Sequence, residues 1–194
     1  MKKKLMTVLA LVLVVAMSVA GTIAFLTDTT DPITNTFTVG KVDITLTETF
    51  NTDTNGDQKN DAWKAQLIPG TTYTKDPVVT VTADSEDCWL FVKFEEKNGA
   101  ATYLNYTSNL TAANGWTQGG DNGIPSNVWY RSVAKTDTTK SFHLLLDDAV
   151  TIDGTAVTND NMNTAAEAQL VYTAYACQSA NMTVEAAWAQ FTTP

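Results

Sequence analysis

The feature that most constrains the fold is a succession of short runs in which apolar and polar residues alternate. Residues 42–47 alternate with a period of two, and residues 89–95 place three apolar side chains on one face, with Lys93 and Glu95 on the other. The chain also contains 33 threonines, and threonine is a β-branched residue that favours strands. The same reasoning predicts strands at residues 78–82, 128–133, 141–146, 150–152 and 169–178.

Turn-forming residues separate these runs, as is typical of antiparallel sandwiches and jelly rolls. Asp153-Gly154 is a hairpin-turn dipeptide and predicts a return strand at residues 155–157. Residues 183–191 carry an apolar stripe at helical spacing, which predicts a short helix capped by Thr183 or Asn181. We therefore expect a mostly β protein, a jelly-roll-like antiparallel β-sandwich with one or two short helices.

The N-terminus has the pattern of a secretory signal. Three lysines occupy positions 2–4, and residues 5–27 contain no charged side chain. Small residues at the end of this run predict cleavage between Ala24 and Phe25. The run is also long enough to span a bilayer, so retention as a membrane anchor stays open, and the uncleaved signal is the only predicted membrane contact. The predicted parts are a signal peptide at residues 1–24 and a single secreted β-sandwich domain at residues 25–194.

The charge balance argues against a nucleic acid partner. Twelve lysines and arginines face 21 aspartates and glutamates, which gives a formal net charge of −9. Arg131 is the only arginine. Binding a phosphate backbone requires clustered basic residues, and this chain has none beyond the N-terminal lysines.

The residues do not form a recognisable catalytic motif. The single histidine, His143, lies between Phe142 and Leu144 in a predicted strand, where a surface or packing role is usual. The sequence has no HExxH motif, no nucleophile signature beside the histidine and no glycine-rich nucleotide loop. We therefore expect a protein that is not an enzyme and has no catalytic residue.

An acidic segment is the best candidate for a metal site. Seven of the nine side chains of residues 53–61 carry oxygen, three of them as carboxylates, which suits the six to eight oxygen ligands of calcium. The order departs from an EF-hand, because its twelfth position is Lys64 rather than glutamate. Calcium is thus the one possible cofactor, and a solvated turn is the alternative. The candidate ligands are Asp53, Asn55, Asp57 and Asp61.

Cys88 and Cys177 are the only cysteines of the chain. Export would place them where a disulfide persists, and an even count permits one bond between them. Two buried free thiols are the alternative, because a bond requires Cα atoms within about 7 Å of each other.

Several segments together resemble one family. Residues 21–28 read GTIAFLTD and residues 35–44 read NTFTVGKVDI; weaker marks follow at residues 67–70, 88–94 and 175–188. In this order they resemble the TasA/CalY (camelysin) family of the biofilm matrix and cell surface. The resemblance implies an exported protein whose signal is removed by a SipW-type signal peptidase.

The resemblance also implies assembly into fibres or with a related matrix subunit. In TasA-like members the N-terminal strand of one subunit completes a sheet of the next, which is strand addition to an open edge. Residues 25–38 would be the donor here, with Pro32 interrupting the segment. The alternative is a monomeric surface protein in which residues 37–47 form the first strand of their own fold. The apolar donor residues are Phe25, Leu26, Ile33 and Phe37.

Two other functions stay open. Camelysin members are classed as metallopeptidases, but a zinc site needs three protein ligands and this chain has one histidine, so no catalytic residue is carried over. A surface adhesion or binding module would need a ligand patch, for which Trp116, Trp129 and Tyr130 beside a glycine-rich loop are candidates. Packing in the core is the alternative role for these three aromatic residues.

Overall fold

The computed structural model describes residues 40–49, 67–121 and 123–192, which form ten strands and a few short helices. All strand pairs are antiparallel, which confirms the mostly β prediction. The strands are β1 (Ile44–Thr47), β2 (Thr72–Thr74), β3 (Val78–Val81), β4 (Cys88–Lys97), β5 (Leu104–Asn105), β6 (Thr117–Gln118), β7 (Val128–Val133), β8 (Ser141–His143), β9 (Ala149–Ile152) and β10 (Gln169–Gln178). The α-helices are α1 (Ala100–Tyr103), α2 (Met162–Ala165) and α3 (Val184–Thr192).

The strands form three sheets. The central sheet has the order β10-β4-β7-β6, and its two ten-residue strands pair along their whole length. A second sheet has the order β1-β3-β8, and a third, small sheet has the order β2-β9-β5. The third sheet packs its own cluster of apolar side chains, among them Ile152 and Val157.

The main core lies between the central sheet and the β1-β3-β8 sheet. Alternate residues of β4 point to this side, and Cys88, Leu90 and Val92 are fully buried. They pack against Val79 and Val81 of β3 and against neighbouring apolar side chains. Two sheets with their apolar faces together are a β-sandwich, as the alternation in the sequence predicts.

The other face of the central sheet is covered by α3. Phe91 of β4 and Trp188 of α3 are both buried, with their ring centroids 5.3 Å apart. The helix begins after Thr183, whose Oγ1 accepts a hydrogen bond from the Ala186 N–H at 3.3 Å. The predicted helix and its Thr183 cap are therefore confirmed, and the central sheet is buried on both faces where α3 packs on Phe91. No helix in the described ranges is long and apolar enough to cross a membrane.

The predicted hairpin at Asp153-Gly154 is wrong. The Asp153 carboxylate accepts hydrogen bonds from the Thr155 N–H at 2.7 Å and the Ala156 N–H at 2.8 Å, so the side chain closes a local turn. Residues 155–157 do not form a return strand, and β9 pairs instead with β2 and β5. An aspartate that bonds its own following backbone competes with the hairpin geometry that the dipeptide otherwise favours.

Candidate assembly edge

The outer side of β10 is the most prominent open feature of the described chain. β10 is the last strand of the central sheet and pairs with β4 over ten consecutive residue pairs without a bulge. Within the described ranges, no strand pairs with its other side. Such an edge presents unpaired N–H and C=O groups, which form a template for another strand.

Two hydrogen bonds show which backbone groups point outward. The Phe94 N–H donates to the Asn127 carbonyl at 2.9 Å, so the even-numbered residues of β4 direct their backbone toward β7. The Ser179 N–H donates to the Asp87 carbonyl at 2.9 Å, so the odd-numbered residues of β10 face β4. The open edge therefore consists of the backbone N–H and C=O groups of Leu170, Tyr172, Ala174 and Ala176.

The open edge lacks the usual protection against edge-to-edge pairing. Natural edges are commonly blocked by charged residues, proline or bulges. Gln169–Gln178 contains neither a charged residue nor a proline, and its register with β4 is regular. All eight residues between the terminal glutamines are half-buried. The edge is thus long, regular and largely apolar, as an acceptor for an added strand must be.

A second unpaired edge lies nearby. β1 is the outer strand of its sheet, and it also lies beside β10. The Thr82 N–H donates to the Asp43 carbonyl at 3.0 Å, so Ile44 and Leu46 point their backbone groups away from β3. Leu46 remains 38% exposed, although it is a large apolar residue. One side of the sandwich is therefore flanked by the edges of β1 and β10.

Tyr172 places a buried, unpaired hydroxyl beside this edge. Its ring stacks on Phe94 with centroids 4.9 Å apart, and its hydroxyl oxygen has no hydrogen-bond partner among the described residues. Burial raises the pKa of Tyr172 well above its ordinary value, so the hydroxyl stays protonated.

Tyr172→Phe is expected to stabilise the monomer by about 1 kcal/mol, because it removes a desolvated polar group and keeps the stacked ring. Urea denaturation of the two proteins measures the difference. Tyr106→Phe is the matched control, because that hydroxyl bonds the Glu96 carboxylate and its loss should not stabilise. A less stable Tyr172→Phe variant would show that the hydroxyl has a partner.

The residues that the sequence singles out for cleavage, assembly and calcium lie outside the described residues. These predictions therefore stay predictions. Among the described residues, no group of three or more histidine, cysteine, aspartate or glutamate side chains is arranged to hold a metal ion. The residues concerned are Ala24, Phe25, Leu26, Ile33, Phe37, Asp53, Asn55, Asp57 and Asp61.

Of the two alternatives that the sequence leaves open for Cys88 and Cys177, the structure has the free thiols and not the disulfide. Cys88 lies opposite Gln178, and Cys177 lies opposite Trp89, so the two cysteines are offset by one residue on neighbouring strands. Because side chains alternate across a sheet, Cys88 points into the main core and Cys177 points toward α3. Two thiols on opposite faces cannot be joined without breaking the register.

Thiol titration of the protein unfolded without reductant should detect two thiols per chain. In the folded protein the Cys88 thiol should be nearly unreactive at neutral pH, because burial raises its pKa to about 11 and thiolate is the reactive form. Cys177→Ser is the control that assigns the remaining signal. Finding no free thiol in the unfolded, unreduced chain would contradict the described register.

The candidate ligand residues do not form one patch. Trp116 is buried in the main core, and Trp129 and Tyr130 are adjacent on β7 and so point to opposite faces. His143 is exposed, with its Nδ1 2.9 Å from the Asp148 Oδ1. Trp129 lines an open groove, to which Trp116 and Tyr130 do not contribute.

No protein-family model, curated protein or solved structure matches this chain. The sequence directs attention to an N-terminal donor and says nothing of an acceptor. One property of the acceptor is visible in the sequence, because Gln169–Gln178 is the longest predicted strand and contains neither a charge nor a proline. Its position at the edge of a sheet follows only from the tertiary structure.

Proposed function

We propose that this chain is an exported structural subunit of a bacterial biofilm matrix or cell surface that polymerises by strand addition. Residues 25–38 of one copy are the donor, and the open edge of β10 in the next copy is the acceptor. Each added strand would extend the central sheet and satisfy the outward-pointing backbone groups. Repeated from copy to copy without closing into a ring, this head-to-tail contact would produce a fibre.

The observation that carries this proposal is the ten-residue edge of β10, which carries no charge, proline or bulge and which pairs with no other strand in the part of the chain that the structure describes. A soluble β protein that exposes such an edge risks uncontrolled association unless a strand covers it. The nearby edge of β1 supplies a second row of backbone groups on the same side of the sandwich. These two edges support an acceptor role for this side of the sandwich. Residues 25–38 support the donor role, because their 14 residues are enough to follow the ten-residue strand β10 and include four apolar side chains among polar ones.

The N-terminal sequence supports export before assembly. The lysines at positions 2–4 and the uncharged run at residues 5–27 are the features that direct secretion. The resemblance at residues 21–28 assigns their removal to a SipW-type signal peptidase. Cleavage between Ala24 and Phe25 would release the donor segment only outside the cytoplasm, so the chain would not polymerise before it is secreted.

Deletion and add-back of the donor test the proposal. A chain of residues 25–194 should form fibres visible by electron microscopy, and a chain of residues 39–194 should stay monomeric. A synthetic peptide of residues 25–38 should bind the shortened chain and raise its Tm, because a ligand that binds only the folded state stabilises it. A peptide of the same composition in scrambled order is the control.

The monomeric alternative makes the opposite prediction. If residues 37–47 form the first strand of their own fold and nothing more, the two chains should sediment alike and neither should form fibres. Fibres from the shortened chain would also contradict the proposal, because they would show that the donor is elsewhere.

A further inference from the structure

A groove of about 500 Å³ opens beside the β4 and β7 strands, on a part of the surface that the assembly proposal does not use. Its volume lies within the range of small-molecule binding sites. Three aromatic residues, four amide or hydroxyl side chains and two carboxylates contribute to it. The lining consists of Phe94, Glu95, Glu96, Tyr106, Ser108, Leu110, Gln118, Ser126, Asn127 and Trp129.

The aromatic wall is already fixed in place. Phe94 and Tyr106 meet edge to face with ring centroids 5.8 Å apart, and Tyr172 stacks behind Phe94. Trp129 of β7 pairs with Val92 of β4 and is half-buried, so part of its indole ring faces the groove. Rigid aromatic side chains provide contact area at little cost in conformational entropy.

Hydrogen bonds within the protein orient the polar side chains of the groove and leave further donor and acceptor atoms for a ligand. The Gln118 Nε2 donates to the Ser126 carbonyl at 2.9 Å, which orients the amide and leaves its Oε1 as an acceptor. The Ser108 Oγ accepts from the Leu110 N–H at 3.1 Å and keeps its own proton to donate. The Asn127 side chain also lines the groove, with an amide that can both donate and accept. The groove therefore has both donors and acceptors beside its aromatic wall.

The Tyr106 hydroxyl donates to the Glu96 carboxylate. Burial and this hydrogen bond raise the pKa of Tyr106, so the phenol stays protonated. Glu95 is paired with Lys93 at 3.1 Å, which leaves Glu96 as the acceptor that faces the groove. This pair fixes the ring of Tyr106 and adds an acceptor for a hydroxyl of a ligand.

The charge of the groove narrows the class of ligand. No lysine or arginine is part of the described lining, two glutamates are, and the whole chain carries a net charge of −9. Phosphate-bearing or carboxylate-bearing polymers would therefore be repelled. An uncharged ligand must combine apolar faces with many hydroxyls to match this lining. Pyranose rings do so, because C–H groups cover their faces and hydroxyls surround their rims.

We propose that this groove binds an uncharged saccharide, with one pyranose ring packed on Trp129 and its hydroxyls bonded to Gln118, Asn127 and Glu96. The inference is independent of the assembly proposal, because it concerns a different surface and a monomer suffices. A matrix or surface protein with both features would link a protein fibre to a neutral polysaccharide.

Three neutral hexasaccharides test the proposal: cellohexaose, chitohexaose and maltohexaose. Protein recovered from cells that express the full 194-residue chain should bind at least one of them, with a Kd below about 1 mM in calorimetry and a change in tryptophan fluorescence. Trp129→Ala should weaken binding about tenfold or more, and Gln118→Ala should weaken it while the protein stays folded, with a Tm lowered by no more than about 5 °C. Trp89→Phe is the matched control, because Trp89 lies on the opposite face of the sheet and should leave binding unchanged.

Hexagalacturonate, which carries a carboxylate on each ring, is the anionic comparison. It should bind more weakly than the neutral hexasaccharide. The proposal is overturned if none of the three neutral probes binds, if Gln118→Ala and a folded Trp129→Ala bind as the parent does, or if hexagalacturonate binds equally well.

Discussion

Replacing Ala174 by proline should abolish fibre formation and leave the monomer folded. Ala174 points its N–H away from β4, so proline removes a donor of the open edge without breaking the pairing inside the central sheet. The incoming strand would lose one hydrogen bond and meet the proline ring. We expect no fibres by electron microscopy, with a Tm lowered by no more than about 5 °C.

The neighbouring residue provides the control. Thr173 points its backbone toward Lys93 of β4, so Thr173→Pro should break the central pairing and destabilise the fold by about 3 kcal/mol or more. Comparing the Ala174→Pro and Thr173→Pro variants therefore distinguishes an effect on assembly from an effect on folding. If Ala174→Pro still forms fibres of normal length and abundance, the open edge of β10 is not the acceptor.

Trp188→Ala should destabilise the protein by about 3–5 kcal/mol, the largest effect that we expect from truncating one core side chain. Trp188 is 6% exposed and contacts Phe91, Tyr175 and Phe191, with centroids 5.3, 5.5 and 6.1 Å away. Its loss would leave a cavity and detach α3 from the central sheet. Urea denaturation followed by circular dichroism measures the change.

The Trp188→Phe variant distinguishes the contribution of ring packing to stability from the cost of the buried indole N–H. The Trp188 Nε1 is buried with no hydrogen-bond partner among the described residues, so phenylalanine loses volume but also removes an unsatisfied donor. We expect a loss of about 1 kcal/mol. If Trp188→Ala lowers the free energy of unfolding by less than about 1 kcal/mol, α3 does not pack on the central sheet through Trp188.

The long strands could be predicted from the sequence because burial imposes a clear pattern on them. Val128–Val133 and Gln169–Gln178 have the bounds that alternation and β-branched content indicate, and α3 follows its apolar stripe. Strands of two or three residues, such as Thr72–Thr74 and Leu104–Asn105, carry too few residues for a period to be visible. They exist because β9 pairs with them on both sides.

The candidate sites depend on tertiary register, which the sequence does not contain. The offset of one residue between β4 and β10 decides that Cys88 and Cys177 face opposite sides. The groove joins residues of β4, β6 and β7 to Tyr106 and Ser108, which are separated along the chain. Trp129 was identifiable as a candidate ligand residue, but its separation from Trp116 and Tyr130 was not.

Hydrogen exchange along β10, measured residue by residue in the monomer and in the fibre, tests strand addition most directly. In the monomeric chain of residues 39–194 the amides of Val171, Thr173 and Tyr175 should exchange slowly, whereas those of the open edge should exchange fast. In fibres of residues 25–194, quenched and dissolved for measurement, the open-edge amides should become as protected as their neighbours. Fibres in which the amides of Leu170, Tyr172, Ala174 and Ala176 still exchange as fast as in the monomer would contradict the account.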